Sequence, residues 1–446
     1  MRIAIDGYNL ALPYGTGVAT YGYVLADVLR SLGHEVEAVF GIAAGGKPET
    51  REVLFFEKLG MGPQPLKASD VLGIGQGTAL SFAAKTPHRI PDNGMVDRRA
   101  FASQIPQLEG MWTLPHMFEV GRARFYATSS FLTIQLPNPP HVMHWTYPVP
   151  VRMAGCPNIY TLHDLVPLKL PHTTLDDKKY YYRMVGECIS SADHICTVSE
   201  ASRNDILEIF GADPEKVTNT YQSSPPPANL AEDPADDAAM VRGIFDLEPD
   251  SYFLFFGALD PKKNLSRILD AFLTAQTGRR LVVVGARDWG MNTDNRLASS
   301  KRKTETKGSP LQALRDNPRI LQLDYQPRSL LFRLIRGARA VLFPSLYEGF
   351  GLPALEAMQL GTPVIGSNVA SLPEVIGDGG LLVDPYDTGA IAGAIRALDL
   401  NDALRQKLSA AALRQAQRFD SETYRSSLAS LYDRIGEQSS RKKPVT

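Results

Sequence analysis

The sequence predicts an α/β protein of two Rossmann-like, doubly wound domains that face each other across a cleft. Three observations predict it. A strand–loop–helix–strand order opens the chain, the same alternation resumes after residue 250, and a proline-rich acidic stretch separates the two. A chain of 446 residues is also too long for one ordinary core and suits two domains of about 200 residues each.

The first strand runs from Arg2 to Asp6. The glycine loop Tyr14-Gly15-Thr16-Gly17 follows, and then a helical pattern from about Ala19 to Leu32. Tyr21, Val24, Leu25, Val28 and Leu32 fall on one face of that helix. Gly33 suits its end, and Glu35 to Phe40 is the next strand. This is a βαβ unit, the building block of a parallel sheet. Residues 41 to 150 are rich in proline and glycine, and their elements look short. Asn158 to Leu162 is a strand ending at His163-Asp164, Asp176 to Ser191 a helix, and His194 to Val198 a strand. Ser199 is placed to cap the next helix, which ends near Gly211.

Residues 1–222 are therefore assigned to the first domain and 223–237 to a linker, because Ser223-Ser224-Pro225-Pro226-Pro227 through Asp237 is aperiodic. The second domain is assigned to 238–415, with strands at Tyr252 to Phe256, Leu281 to Val284, Ile320 to Leu323 and Ala340 to Phe343. A helix at Leu355 to Leu360 and a strand at Pro363 to Ile365 continue it. The helical pattern from Leu404 to Ile435 runs past that domain, so 416–446 is read as a C-terminal helix and tail able to cross back to the first domain.

Composition excludes several classes. With 44% hydrophobic and 21% charged residues the chain reads as soluble and globular. A net charge of −1 gives no reason to expect nucleic acid. Three cysteines without C-x-x-C spacing argue against a zinc site or a disulfide scaffold, and a reducing cytoplasm is the expected compartment. The opening MRIAIDGYNLALPYG lacks the pattern of a signal peptide, and no apolar run reaches the ~18 residues of a membrane span. Lys301-Arg302-Lys303 and Arg441-Lys442-Lys443 are candidates for peripheral contact with anionic lipid, with solvated surface as the favoured reading.

Ligands of open α/β sheets bind beyond the carboxyl ends of the strands, which directs attention to loops 13–18, 163–168, 257–264, 285–290 and 345–353. The last is the most informative. A buried strand ends at Pro344, Gly349 and Gly351 let a ligand approach the main chain, and Pro353 suits the start of a helix. The amides at Gly351 and Leu352, beside Phe350, would then point unpaired toward the cleft, ready for a phosphate. Glu348 and Glu356 flank that position, and carboxylates accept well from vicinal hydroxyls. One at each end of a diphosphate suits a nucleotide sugar, with Glu356 for the ribose and Glu348 for the sugar.

The segment PSLYEGFGLPALEAMQLGTPVIGSNVASLPEVIGDGGLLVDPYD resembles the C-terminal signature of glycosyltransferase family 4, retaining enzymes of the GT-B fold. The resemblance is dense over roughly residues 250 to 390 and thinner through TLHDLVPLKLP, SADHICTVSEASRNDI and the glycine loop. It implies that Glu348 contacts the donor sugar and Glu356 holds the ribose. In FGALDPKKNLSRILDAF it implies that Lys263 pairs with the donor diphosphate, where a cation and helix amides stabilise the leaving group. Many members carry an arginine after the glycine matching Gly257. Here that position is Ala258, and Lys262 or an arginine from elsewhere must substitute. His163 would contact the donor sugar near the reacting carbon. Asp164 would orient His163 or cap the next segment, Gly15 and Gly17 would approach the donor, and Ser199 and Arg203 are candidates for acceptor or phosphate contacts, with capping an equal reading for Ser199.

No carboxylate stands out as a covalent nucleophile and no D-x-D motif follows a strand of the first domain, so a metal-independent transfer without cofactor is expected. The resemblance favours GDP-mannose as donor, with a UDP-sugar as the other option. The acceptor would be a saccharide or a lipid-linked glycan of cell-surface polysaccharide or lipopolysaccharide synthesis, at the inner face of the membrane. A sugar phosphorylase, a nucleotide-sugar epimerase and a non-catalytic partner subunit remain open as alternatives.

Overall fold

The computed structural model describes residues 1–12, 17–45, 47–62, 68–79, 81, 83–227, 229–230, 233–285 and 317–441. Gly15, the loop 286–290, Lys301-Arg302-Lys303, Lys442 and Lys443 lie outside them. The chain divides into two compact units. One comprises Met1–Lys169, Leu175–Ser223 and Ser421–Thr446, the other Leu170–Thr174 and Ser224–Asp420.

The first unit is built on β1 (Arg2–Asp6), β2 (Glu35–Phe40), β3 (His88–Ile90), β4 (Gly110–Thr113), β5 (Leu132–Ile134), β6 (Val142–Trp145), β7 (Val151–Met153), β8 (Asn158–Thr161), β9 (His194–Thr197) and β10 (Val217–Asn219). Eight of these form one sheet in the order β10-β9-β8-β6-β1-β2-β4-β3, while β5 and β7 pair separately. Neighbours in the main sheet run parallel except β3, which is antiparallel to β4 at the edge. Strands β6, β8 and β9 are buried along their whole length, as expected of parallel strands covered on both faces.

The helix Ser421–Arg441 belongs to this first unit. Tyr424, Leu428, Leu431, Tyr432 and Ile435 form its buried stripe at helical spacing. Tyr432 shares a 2.6 Å hydrogen bond with His144 Nδ1, and His144 Nε2 lies 2.7 Å from Thr161 Oγ1. Tyr21 closes the chain of contacts at 2.9 Å from the same Thr161 hydroxyl. Burial pushes the His144 imidazole down to about 3, so it stays neutral at physiological pH.

The second unit carries β11 (Tyr252–Phe256), β12 (Arg280–Val284), β13 (Ile320–Leu323), β14 (Ala340–Phe343), β15 (Val364–Ser367) and β16 (Gly380–Val383). They form an all-parallel sheet in the order β13-β12-β11-β14-β15-β16. The aromatic run YFLFF of β11 is buried throughout, with Phe253 and Phe255 in the core shared with helix Leu265–Ala275 and helix Thr388–Leu400. The sheet winds outward in both directions from the β11–β14 pair, and that reversal is where ligands of such sheets bind.

Several boundaries differ from the sequence reading. The end of the expected linker is helical from Pro234, in a helix that runs on to Phe245, because Asp233 caps the turn by accepting from Ala235 N (2.8 Å) and proline follows at the helix start. Asp237 is buried and bound by Arg333 Nε (2.8 Å) and by Arg336, so this acidic residue belongs to packed structure. The long C-terminal pattern is two helices, Asp402–Ala416 and Ser421–Arg441, separated by a short turn at Gln417–Phe419. The helix expected from Leu355 already starts at Leu352.

Candidate functional site

In the second unit, the loops after β11 and β14 leave the sheet side by side. Asp260 Oδ1 accepts from Lys262 N (2.9 Å) and starts a single turn, Pro261–Lys263. Asn264 then adopts a left-handed conformation, φ 63°, which asparagine tolerates better than most residues. Its buried side-chain amide donates to the carbonyls of Pro344 (3.0 Å) and Pro385 (2.7 Å), tying together the loops after β11, β14 and β16. Leu346 N donates to Lys262 O at 2.8 Å and adds a main-chain tie.

These ties bring Lys263 to Glu348. Lys263 Nζ donates to Glu348 Oε1 at 2.7 Å and sits 4.6 Å from the centroid of the Phe343 ring. The side chains are 12% and 8% exposed, so the pair is largely desolvated. Burial pushes the Glu348 carboxyl up, but the charges of Lys263 and Lys262 outweigh it and hold the group below its ordinary value. Glu348 is thus an ionised carboxylate, and Lys262 contributes to the same positive field. Ala258, at the position where the resembled pattern often carries an arginine, bears no charge, and its carbonyl accepts from Asp260 N at 2.8 Å.

The loop that follows is held by Ser371, whose hydroxyl bridges the carbonyls of Glu348 (2.9 Å) and Phe350 (2.8 Å). Gly351 sits at φ 108°, and a Cβ there would lie 2.5 Å from Leu372 Cδ2, so only glycine fits. Helix Leu352–Gln359 begins directly after it, with Pro353 in its first turn. The first amides of a helix have no intrahelical acceptor, and they present partial positive charge to an anion. Gly349, Phe350 and Leu352 are buried in this loop, and the Phe350 ring packs edge-on against Phe419 at 5.4 Å. The phenyl side chain therefore serves packing, and only its main chain is left for a ligand.

Glu356 lies within the helix's second turn and is also buried. Its Oε1 accepts from Ser224 Oγ (2.8 Å) and from Arg328 Nη2 (3.3 Å). Burial pushes this carboxyl above its ordinary value, against the opposing pull of Arg328 and Ser224.

In the first unit, His163 follows β8, and its Nε2 donates to the carbonyl of Thr146 at 2.8 Å, after β6. Its ring stands edge-on to Tyr21 with centroids 4.9 Å apart. The Thr146 amide donates to the buried carboxylate of Asp6 at the end of β1, which also accepts from Tyr8 N (3.1 Å). Burial pushes Asp6 up to about 6. Gly17 is the exposed first residue of helix Gly17–Ser31.

Of the alternatives left open in this unit, the capping readings of Asp164 and Ser199 are the ones seen, and Arg203 is engaged within the fold. Asp164 Oδ1 accepts from Val166 N (3.1 Å) and starts the next turn, while the Thr146 carbonyl takes the His163 Nε2 bond. Ser199 is fully buried and caps helix Glu200–Phe210 by accepting from Ser202 N at 3.0 Å, which leaves it no surface for an acceptor. Arg203 reaches the carbonyls of Val217 (3.0 Å) and Pro214 (3.3 Å), so its guanidinium braces the β10 segment. Sequence reasoning missed Ser224, Arg328, Asn264 and Ser371. Asn264 sits in a Lys-Lys-Asn string that carries no local sign of its two carbonyl partners, and the other three lie far in sequence from the glutamates they serve. Among the described residues, no group of three or more His, Cys, Asp or Glu is placed to hold a metal ion.

Residues 16–220 match the glycosyl transferase 4-like domain, and residues 242–415 match glycosyl transferases group 1. The chain is 31% identical over 292 residues to the D-inositol 3-phosphate glycosyltransferase of Actinosynnema mirum, covering 62% of this chain and 67% of that protein. The chain belongs to glycosyltransferase family 4. Among its relatives in this family, the O-antigen chain mannosyltransferase B of Escherichia coli is 33% identical over 266 residues, covering 58% of this chain and 66% of that protein. The serotype-specific mannosyltransferase WbdA of Escherichia coli is 26% identical over 284 residues, and the match spans only 34% of its length.

Solved structures place the fold in the GT-B class. Sucrose-phosphate synthase from Thermosynechococcus elongatus superposes with a TM-score of 0.65 at 18% identity, covering 98% of this chain and 99% of that one. WaaG, described as a glycosyltransferase involved in lipopolysaccharide biosynthesis, gives 0.57 at 14% identity over 96% and 99%. No helix among the described residues is long and apolar enough to cross a membrane.

Proposed function

We propose that this chain transfers a hexose, with mannose favoured, from a nucleoside-diphosphate sugar to a saccharide or lipid-linked acceptor, with retention of anomeric configuration. The observation that carries the reading is the Lys263–Glu348 contact of 2.7 Å beside a helix start, at the reversal point of the second sheet. That place combines a cation and unpaired amides for a diphosphate with a carboxylate for sugar hydroxyls.

In this reading the acceptor hydroxyl oxygen attacks the anomeric carbon on the face that the phosphate leaves. The carbon–oxygen bond to phosphate breaks, and the acceptor's proton passes to the departing phosphate oxygen. Lys263, Lys262 and the amides at Gly351–Leu352 stabilise the charge that develops on the diphosphate. Glu348 holds the sugar and Glu356 the ribose; for His163, whose ring is fixed by Thr146 and Tyr21, the family resemblance implies a donor-sugar contact. The step needs no metal or cofactor. Mannose is favoured because two of the relatives are named mannosyltransferases. A UDP-sugar is the second option, since the neighbouring fold of Anabaena HepE is described in complex with UDP-glucose. Action on cell-surface polysaccharide at the cytoplasmic face of the membrane suits the names of the O-antigen relative and of WaaG.

The test is a thermal-shift screen of nucleotide sugars, followed by transfer from any stabilising donor to lipid-linked and oligosaccharide acceptors. GDP-mannose is expected to stabilise the protein and to donate. Stabilisation by no nucleotide sugar, or donor consumption without an acceptor, overturns the reading.

A further inference from the structure

Glu356 does not stand alone. Arg328, the first residue of helix Arg328–Gly337, places Nη2 2.7 Å from Ser224 Oγ and 3.3 Å from Glu356 Oε1. The Ser224 hydroxyl accepts from the guanidinium and donates to the same Oε1 at 2.8 Å. The guanidinium carbon lies 4.7 Å from the centroid of the Phe332 ring one turn later, which restrains the arginine in that position. Ser224 is fully buried, the Glu356 side chain is 11% exposed, and Arg328 covers the group from the solvent side at 39%.

Among the described residues both contacts fall on Oε1, and none falls on Oε2. A carboxylate that receives a vicinal diol needs a free oxygen, a fixed plane and an ionised state. Burial works against the last of these, and a cation with a charge-assisted hydrogen bond opposes that shift. Nothing in the ordinary demands of packing calls for an arginine, a buried hydroxyl and a buried carboxylate to converge on one oxygen.

We propose that Arg328 and Ser224 are positioning residues for ribose recognition: they hold one oxygen of Glu356 so that the other accepts from the ribose diol. This rests on the reading of Glu356 as the ribose carboxylate. It adds two residues to the nucleotide site and makes the sugar of the nucleotide, rather than its phosphates, the part that senses Arg328.

Calorimetric titration of the full chain with GDP and UDP, each beside its 2′,3′-dideoxy form, tests it. Wild type is expected to prefer the ribonucleotide by about tenfold or more, the scale of a charged hydrogen bond. Arg328→Ala should weaken ribonucleotide binding by roughly tenfold and leave the dideoxy form unchanged, and Arg328→Lys should restore part of the loss. Ser224→Ala should shift the same preference in the same direction, and it serves if thermal melting shows Arg328→Ala to be unfolded. Equal weakening of both forms would place Arg328 on the diphosphate or base and overturn the inference, as would variants that discriminate like wild type. Absence of discrimination in wild type itself overturns the ribose reading of Glu356 and this inference with it.

Discussion

Lys263 Nζ and Glu348 Oε1 lie 2.7 Å apart, joining the loops that follow β11 and β14 at the point where the second sheet reverses direction. A buried pair of this kind is weak evidence for stability by itself, because desolvating two charges offsets much of their attraction. Its placement at the mouth of the sheet, with both charges beside a helix start, gives it chemical meaning. Lys263→Met should destabilise the protein by about 3–5 kcal/mol, since it leaves Glu348 buried without its cation. The sign of the pH dependence follows from Glu348, whose carboxyl is held below the ordinary 4.5. Its contribution is present above that value and is lost as pH falls through the folded value. Urea unfolding should therefore show the wild-type advantage over Lys263→Met at pH 7 and its shrinkage below pH 4.5.

Glu348→Gln keeps the shape of the side chain and removes its charge. Donor turnover should fall roughly 100-fold, the scale for losing one preorganised polar contact to the reacting group. Nucleoside-diphosphate release under saturating donor and acceptor measures it, and circular dichroism checks that the fold is kept. Turnover within twofold of wild type would remove Glu348 from the reaction.

Asp6 gives a pH signature of opposite sign. Burial raises its carboxyl from 3.8 to about 6. Its contribution is fully present below the unfolded value and is lost as pH rises through the folded one. Asp6→Asn does not titrate, so its stability relative to wild type should improve by up to about 3 kcal/mol between pH 4 and pH 6 and level off above. Paired urea titrations across that range read the difference, and a difference independent of pH would contradict the assignment.

Tyr432→Phe should cost about 1–2 kcal/mol, because it removes the hydroxyl at His144 Nδ1 and leaves a buried ring nitrogen without its partner. Ser199→Ala should cost about 1 kcal/mol as the loss of a helix cap, with turnover unchanged. A fall in turnover without a change in stability would instead return Ser199 to the acceptor contacts.

Much of this was legible in the sequence because the signals are local. Strand β14, two glycines, a proline and two glutamates lie within a single short segment, and their order states both the helix start and the carboxylates around it. Lys263 was legible through its resemblance to the family's pattern of strand, glycine and lysine. Arg328 and Ser224 were not, because they reach Glu356 only when separate segments fold together, and neither position carries a pattern of its own. The helix Pro234–Phe245 was hidden by its acidic residues, since Asp237 reads as linker until Arg333 and Arg336 are placed beside it. Residues 41 to 150 resisted because their strands are short and one of them, β3, joins the sheet antiparallel at its edge.

The central claim is that the Lys263–Glu348 pair belongs to a nucleotide-sugar transferase site. Transfer of labelled mannose from GDP-mannose to a lipid-linked acceptor, by wild type and by Glu348→Ala side by side, tests it most directly. Labelled product with wild type and its loss with Glu348→Ala is the predicted result. Undiminished product from Glu348→Ala, or no transfer by wild type from GDP-mannose or any UDP-sugar, would contradict it.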